Sequence, residues 1–365
     1  MTPRLPLALA ILVGAGAVAA AVAVVATSQE GGAAPPAAIV AATTSAPAPL
    51  PLDSLRLAAV YVRAAALPRL RSLLVQQHGT IVRERYFHGA TAARAANIKS
   101  ASKSVISALV GVALAEGALH GLDQPLAELL PEQARALDNA KRAINLEDLL
   151  TMRAGLQSTS FGGYGAWVSS RNWVQDALRR PMVDEPGHRG GDMIYSTGTS
   201  HLLSAALTRA TGTSTFEYAR RKLAAPLGIT LRPWAADPQG IYLGGNEMHM
   251  TPRDMVKFGQ LYLNRGRAPD GTQLLPEAWI DSSWVSRTRS RFNDNHYGYG
   301  WWIREAAGHP VYFAWGYGGQ YIFVVPSLDL VVVTTSDPNA PSRSGSHRDG
   351  IYGMMEEIVT AGSGA

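Results

Sequence analysis

The chain has no cysteine among its 365 residues. That absence excludes disulfides, thiolate metal sites, a cysteine nucleophile and a lipid-modified N-terminal cysteine, and leaves stability to packing. Lysine is nearly as scarce, five of the 33 basic residues, so each lysine is worth inspecting. The arginines are scattered and form no run of five or six, so the net charge of +5 does not amount to a nucleic-acid surface, and no nucleic-acid partner is expected. No Gly-x-Ser-x-Gly elbow occurs, which argues against a conventional Ser-His-Asp hydrolase. There is no His-Glu-x-x-His either, and the nine histidines are dispersed, so neither a metal nor any other cofactor is implied. No internal repeat recurs at a fixed period.

Hydrophobic residues make up 47% of the chain and charged ones 17%, enough for a large core in one domain or two smaller ones. After Met1-Thr2-Pro3-Arg4, residues 5–25 are uncharged and mostly Leu, Ala, Val and Gly, long enough to span a bilayer. This is an export or anchor signal. A cleavable signal normally has an apolar core of about 7–15 residues, which favours an uncleaved anchor, although Ala21-Val22-Ala23 offers a cleavage site. Arg4 places the N-terminus inside, and the remainder is expected on the periplasmic or extracellular face, tethered or secreted. The domain plan is therefore residues 1–27 as signal or anchor, 28–51 as a flexible linker poor in large apolar side chains, and 52–365 as the folded unit.

Residues 72–87 read as strand, turn, strand, with His78-Gly79 as the turn. Residues 299–304, 311–315, 321–325 and 330–335 are short β-rich runs, followed by a closing helix around 352–360. Between these ends the patterns are helical, over 105–119, 146–152, 173–179, 201–211, 216–223 and 252–263. Strands at both ends and helices between them predict an α+β fold. One antiparallel sheet flanked by helices is closed by distant segments and carries an inserted helical lobe, with a cleft between the two parts.

Ser100-Ala101-Ser102-Lys103 is the sole Ser-x-x-Lys in the chain and lies at the start of an apolar helical run. At a helix start, residues i and i+3 share a face, so Lys103 reaches the Ser100 hydroxyl from one turn away. The helix N-terminus favours a developing alkoxide and disfavours an ammonium; together with burial this lowers the Lys103 pKa toward that of a usable base. The competing reading is a capping serine beside a solvated lysine.

The stretch Ser100-x-x-Lys103-Ser104, opening an apolar helix, resembles the nucleophile motif of the serine β-lactamase and penicillin-recognising family, especially its class C and esterase branch. Further landmarks agree in order. Leu149-Leu150-Thr151-Met152-Arg153-Ala154-Gly155-Leu156 resembles that branch's Leu-Leu-Thr-x-x-x-Gly-Leu segment, Pro186-Gly187 leads into Tyr195-Ser196-Thr197, and Met250-Thr251-Pro252-Arg253-Asp254-Met255 resembles a shared helix start. Trp315-Gly316-Tyr317-Gly318-Gly319 falls where the family places Lys-Thr-Gly or its equivalent. The resemblance covers about residues 55 to 360. It implies a β-lactamase/transpeptidase-like fold with Ser100 as nucleophile, Lys103 as its base partner and Tyr195 as the second proton relay. By the same carry-over the N–H groups of Ser100 and Gly319 form the oxyanion hole, and Thr197, Trp315, Gly316, Tyr317 and Gly318 contact the substrate.

Two departures bear on the substrate: Thr197 replaces the Asn of the family's Tyr-x-Asn, and Gly316-Tyr317-Gly318 lacks the Lys of Lys-Thr-Gly. Those groups help hold the carboxylate and amide of a β-lactam or peptide in the penicillin-binding enzymes. The pattern is similar to the 6-aminohexanoate oligomer hydrolase and esterase relatives, which implies hydrolysis of a small-molecule ester, amide or peptide-like substrate through an acyl-enzyme. A β-lactamase or D-alanyl carboxypeptidase, and an idle penicillin-binding-like sensor, are the alternatives. Trp301, Trp302, Trp315 and Tyr317 fit either an acyl pocket or the core, and Phe161-Gly162-Gly163-Tyr164-Gly165 fits either a lid or a surface loop.

Overall fold

The N-terminal hairpin pairs β1 (Leu70–Gln77) with β2 (Thr80–Tyr86) across His78-Gly79. Both turn residues adopt positive φ, +49° and +71°, the backbone that matches a two-residue connection to the strand twist. Here and below the structure is a computed structural model that describes residues 50–187, 193–339 and 346–363. The anchor segment 1–27 and all but the last two residues of the linker 28–51 lie outside the described residues. Among those described, no helix is long and apolar enough to cross a membrane.

The later strands are β3 (Ala96–Asn97), β4 (His249–Met250), β5 (Thr288–Arg289), β6 (His296–Tyr297) and β7 (Trp302–Ala306). They are followed by β8 (His309–Gly316), β9 (Gln320–Val325) and β10 (Leu330–Ser336). Eight of the ten form one antiparallel sheet in the order β2-β1-β10-β9-β8-β7-β6-β5, while β3 and β4 pair separately. The first strand thus lies against the last, with Leu74 opposite Val333, and the sheet is closed by the two ends of the domain as the sequence implied.

Side chains alternate between the sheet's two faces. In β9, Ile322 and Val324 join the core that contains the inserted helices, whereas Tyr321, Phe323 and Val325 join a second core on the opposite face. That second core is covered by helices Ser54–Ala65 and Ser346–Ser363 through Leu57, Val60, Tyr61, Ile351, Met355 and Ile358. Burial on both faces explains why these strands read as continuous apolar runs. Helix Ser102–Ala115 runs through the first core, buried from Ser102 to Ala113. Two of its serines are satisfied by carbonyls distant in sequence: Ser104 Oγ donates to that of Gly300 at 2.6 Å and Ser107 Oγ to that of Tyr299 at 2.7 Å.

Two of the differences from the sequence expectation concern longer helical segments. Helix Ser54–Ala65, capped by the Asp53 carboxylate on the Leu55 and Arg56 amides, was not anticipated. The helix expected over 216–223 divides into an α-helical part, Thr215–Ala219, and a π-helical turn, Arg220–Ala224. A 3.6-residue pattern does not register that one-residue widening.

Candidate active site

Ser100 sits in a 3₁₀ turn, Lys99–Ala101, which feeds directly into helix Ser102–Ala115. Lys99, the residue before it, holds a left-handed φ of +51°, a strained choice for a side chain with a Cβ. Three contacts fix it. Its amide donates to Asn97 Oδ1 at 3.0 Å, its Nζ reaches Glu247 Oε1 at 3.0 Å, and the other Glu247 oxygen accepts from Asn97 Nδ2 at 2.6 Å. Glu247 is itself left-handed, φ +65°, so two strained residues face one another across one salt bridge.

One helical turn on, Lys103 is buried. Its Nζ donates to Ser100 Oγ at 3.2 Å, to Thr197 Oγ1 at 3.3 Å and to the Gly245 carbonyl at 2.8 Å. None of these partners is a carboxylate, so nothing offsets the cost of burying a charge there, and burial lowers the lysine pKa to about 7. The Gly244-Gly245 segment approaches so closely that a Cβ on Gly245 would lie 2.9 Å from Lys103 Cγ.

Tyr195 enters just before helix Thr197–Thr211, whose N-cap is Ser196. Its position is clamped from both sides. Ile194 donates its amide to the Met152 carbonyl at 3.0 Å, and Ser158 Oγ donates to the Tyr195 carbonyl at 2.6 Å. Thr159 and Ser160 then accept from the amides of Gly198 and Thr197 at 2.7 and 2.9 Å. Burial raises the Tyr195 pKa well above its ordinary value, and the neighbouring Ser100 side chain opposes that rise. The Tyr195 ring centre lies 4.9 Å from Lys103 Nζ, so the three groups read from the sequence form one cluster.

A cavity of about 390 Å³ opens onto Ser100 and Tyr195. Trp302, Trp315 and Tyr317 line it, as do Phe161, Met193 and Phe292; Trp301 instead stacks on Phe258 in the core. Among the described residues, Arg348 is the single charged side chain in the lining.

The other expected site residues sit behind this wall and are not among its lining. Thr197 divides its hydroxyl between Lys103 and Ser160. Gly316 packs on the turn before the nucleophile, where a Cβ would fall 2.0 Å from the Ile98 carbonyl oxygen. Gly318 takes a φ of +86°, and a Cβ there would meet Pro338. The Gly319 amide donates to the Gly316 carbonyl at 3.4 Å, and its own carbonyl accepts from Thr334 and Ser336 hydroxyls at 3.0 and 3.2 Å. His347 backs this turn through Ser336 Oγ at 3.0 Å; burial lowers its pKa to about 4, so it is neutral near pH 7.

Asn97, Ser158–Ser160, Gly245, Glu247 and Arg348 escaped the sequence reading. Their roles come from backbone atoms or from partners distant in sequence, which no short motif displays.

A family model described as Beta-lactamase matches residues 71–351. The chain belongs to the beta-lactamase family. It is 23% identical over 263 residues to the 6-aminohexanoate-dimer hydrolase of Paenarthrobacter ureafaciens, a match covering 66% of this chain and 65% of that protein's length. Among solved structures, a Bacillus anthracis protein provisionally assigned as a 6-aminohexanoate-dimer hydrolase superposes with a TM-score of 0.67 at 20% identity, covering 80% of this chain and 78% of that one. A penicillin-binding protein homologue from Caulobacter crescentus gives 0.68 at 16% identity, covering 86% and 99%. The family resemblance and the α+β, β-lactamase/transpeptidase-like fold expected from the motifs are both borne out.

Proposed function

We propose that the chain is a serine hydrolase that cleaves an ester or small amide bond through an acyl-enzyme on Ser100. The observation that carries this reading is the position of the buried Lys103 amine, 3.2 Å from Ser100 Oγ with its pKa held near 7. Neutral Lys103 takes the Ser100 proton as Oγ attacks the carbonyl carbon. Tyr195, whose raised pKa keeps it a neutral phenol, passes a proton to the leaving group and recovers one from Lys103. Water then enters, gives up its proton by the same route, and releases the acyl group. The Ser100 amide and an amide of the 316–319 turn serve as oxyanion donors, each worth roughly 3–4 kcal/mol in comparable sites.

Arg348 favours a second reading, in which the substrate carries a carboxylate, as a β-lactam or a D-alanyl peptide does. The test compares hydrolysis of a short-chain p-nitrophenyl ester with that of a chromogenic cephalosporin, and adds intact-mass detection of a fluorophosphonate adduct. Ester turnover with an adduct that disappears in Ser100→Ala is the expected result. Rapid cephalosporin turnover would move the assignment to β-lactamase, and an adduct without any turnover would leave an acylated sensor. Location outside the cytoplasmic membrane, through residues 5–25, belongs to the same proposal and is checked by fractionation.

Glu247→Ala is expected to lower kcat about tenfold with a smaller change in KM. A left-handed residue costs roughly 1–3 kcal/mol unless its surroundings enforce it, and Glu247 is what enforces Lys99 beside the nucleophile. Steady-state kinetics on the purified variant, with a thermal melt to confirm folding, checks this.

A further inference from the structure

Among the described residues, six of the eleven that line the Ser100 cavity are aromatic, and they form two tiers. The inner tier is Tyr195, Trp302 and Trp315. Trp302 stacks on Tyr195 with ring centres 5.7 Å apart and meets Trp315 edge-on at 5.2 Å, giving an apolar floor beside the nucleophile. The outer tier is Phe161, Phe292 and Tyr317, which are 69%, 72% and 70% exposed.

The chain contains eight Trp, thirteen Tyr and seven Phe. Among the described residues those three are the only ones exposed, and all three border this one opening. They arrive on separate segments. Phe161 begins the 3₁₀ turn Phe161–Gly163, Phe292 follows Ser290, whose Oγ accepts the Phe292 amide at 3.1 Å, and Tyr317 heads the turn between β8 and β9. Phe161 and Phe292 meet across one side of the mouth at 5.6 Å. Phe161 holds a φ of +56°, a region that bulky side chains avoid, yet the chain keeps it there with its ring in water. Three exposed aromatic rings converging from separate segments on one catalytic opening form a binding surface that is incomplete without its occupant.

We propose that the substrate carries an extended apolar body, an alkyl chain or aryl group, that runs from Ser100 over the Trp302–Trp315 floor and is covered at the mouth by Phe161, Phe292 and Tyr317. The inference deepens the proposed Ser100 chemistry and rests on it. A short polar substrate would leave the three rings in water, whereas each methylene buried among them adds about fourfold in affinity.

The test uses the full chain and the series p-nitrophenyl acetate, butanoate and octanoate below micelle-forming concentration, together with octyl acetate against ethyl acetate. The double variant Phe161→Ser/Phe292→Ser is measured beside wild type. In wild type, kcat/KM for the long member should exceed that for the short one by more than tenfold on the acyl or the alcohol side. In the double variant that ratio should fall at least tenfold. A ratio near one in wild type, or one that the double variant leaves unchanged, overturns the proposal. Binding of octanamide and acetamide to Ser100→Ala, followed by tryptophan fluorescence, separates the two levels. Preferential octanamide binding without wild-type turnover would sink the hydrolase reading and keep the apolar subsite, while turnover without a length preference would sink the subsite alone.

Discussion

Lys103→Met should reduce ester turnover about 1,000-fold or more, and it should also make the protein more stable near neutral pH. The catalytic loss follows from removing the amine proposed as the base for Ser100, because groups that act as a unit leave little behind when one is deleted. The stability gain follows from proton linkage. Folding moves the Lys103 pKa from its ordinary 10.5 to about 7 because the amine is buried without a counter-charge. Between those two values the unfolded chain holds a proton that the folded chain has shed, so wild-type stability rises as pH increases across that window. Methionine fills a similar volume and has no such slope, so its advantage is greatest at and below about pH 7 and shrinks toward pH 10. Thermal melts of both proteins at several pH values show the convergence. In wild type, kcat/KM should climb through about pH 7 as Lys103 becomes neutral. A variant retaining a tenth of wild-type turnover would place the base elsewhere.

Gly316→Ala should cost at least 100-fold in kcat/KM and lower the melting temperature, although it adds a single methyl group. Gly316 ends β8, and the added carbon would fall 2.0 Å from the Ile98 carbonyl oxygen and 3.0 Å from Gln320 Cβ. Ile98 is fully buried and its amide is tied to the Met248 carbonyl at 2.9 Å, so the turn that carries Ser100 has no slack to retreat. Either the strand or the nucleophile turn must move. A displacement of about 1 Å at reacting atoms costs on the order of 100-fold. Gly162→Ala is the control, since nothing lies within 4 Å of a Cβ there. Equal kinetics for Gly316→Ala and wild type would mean that the strand end does not position the nucleophile.

The legible part of the site was the part written in neighbouring residues. Ser100 and Lys103 lie three apart on one helical turn, and Tyr195 opens a later motif in the same order, so their coming together could be read without coordinates. Glu247 could not. It acts on Lys99 from 148 residues away and shows in the sequence as an unremarkable acid between Asn246 and Met248. Gly245 contributes a carbonyl oxygen, which every residue has. Arg348 lies on the C-terminal helix, outside every motif, and reaches the cavity only because that helix packs behind β7–β9.

The fold divides the same way. Strands β9 and β10 were readable because both their faces are covered and their sequences carry apolar runs, whereas β1 and β2 were readable from the His78-Gly79 turn between them. Helix Ser54–Ala65 carries the signal too, with Leu57, Val60, Tyr61 and Ala64 on one buried face, but it follows an alanine- and proline-rich stretch that blurs its start. The short helices Leu126–Leu129 and Pro131–Ala134 are too brief for any period to be established.

The pairing of β1 with β10 also sets the order of events during synthesis. Ser72 and Thr335 share a 2.6 Å hydrogen bond in the middle of the sheet although 263 residues separate them. Such a contact is slow to form and cannot form at all until the last strand has left the ribosome. The Gly319 carbonyl lacks the Thr334 and Ser336 hydroxyls before then. A chain stopped short of residue 330 therefore contains Ser100, Lys103 and Tyr195 but is expected to lack the proposed activity, which would then report completion of the polypeptide and not merely the presence of those three residues.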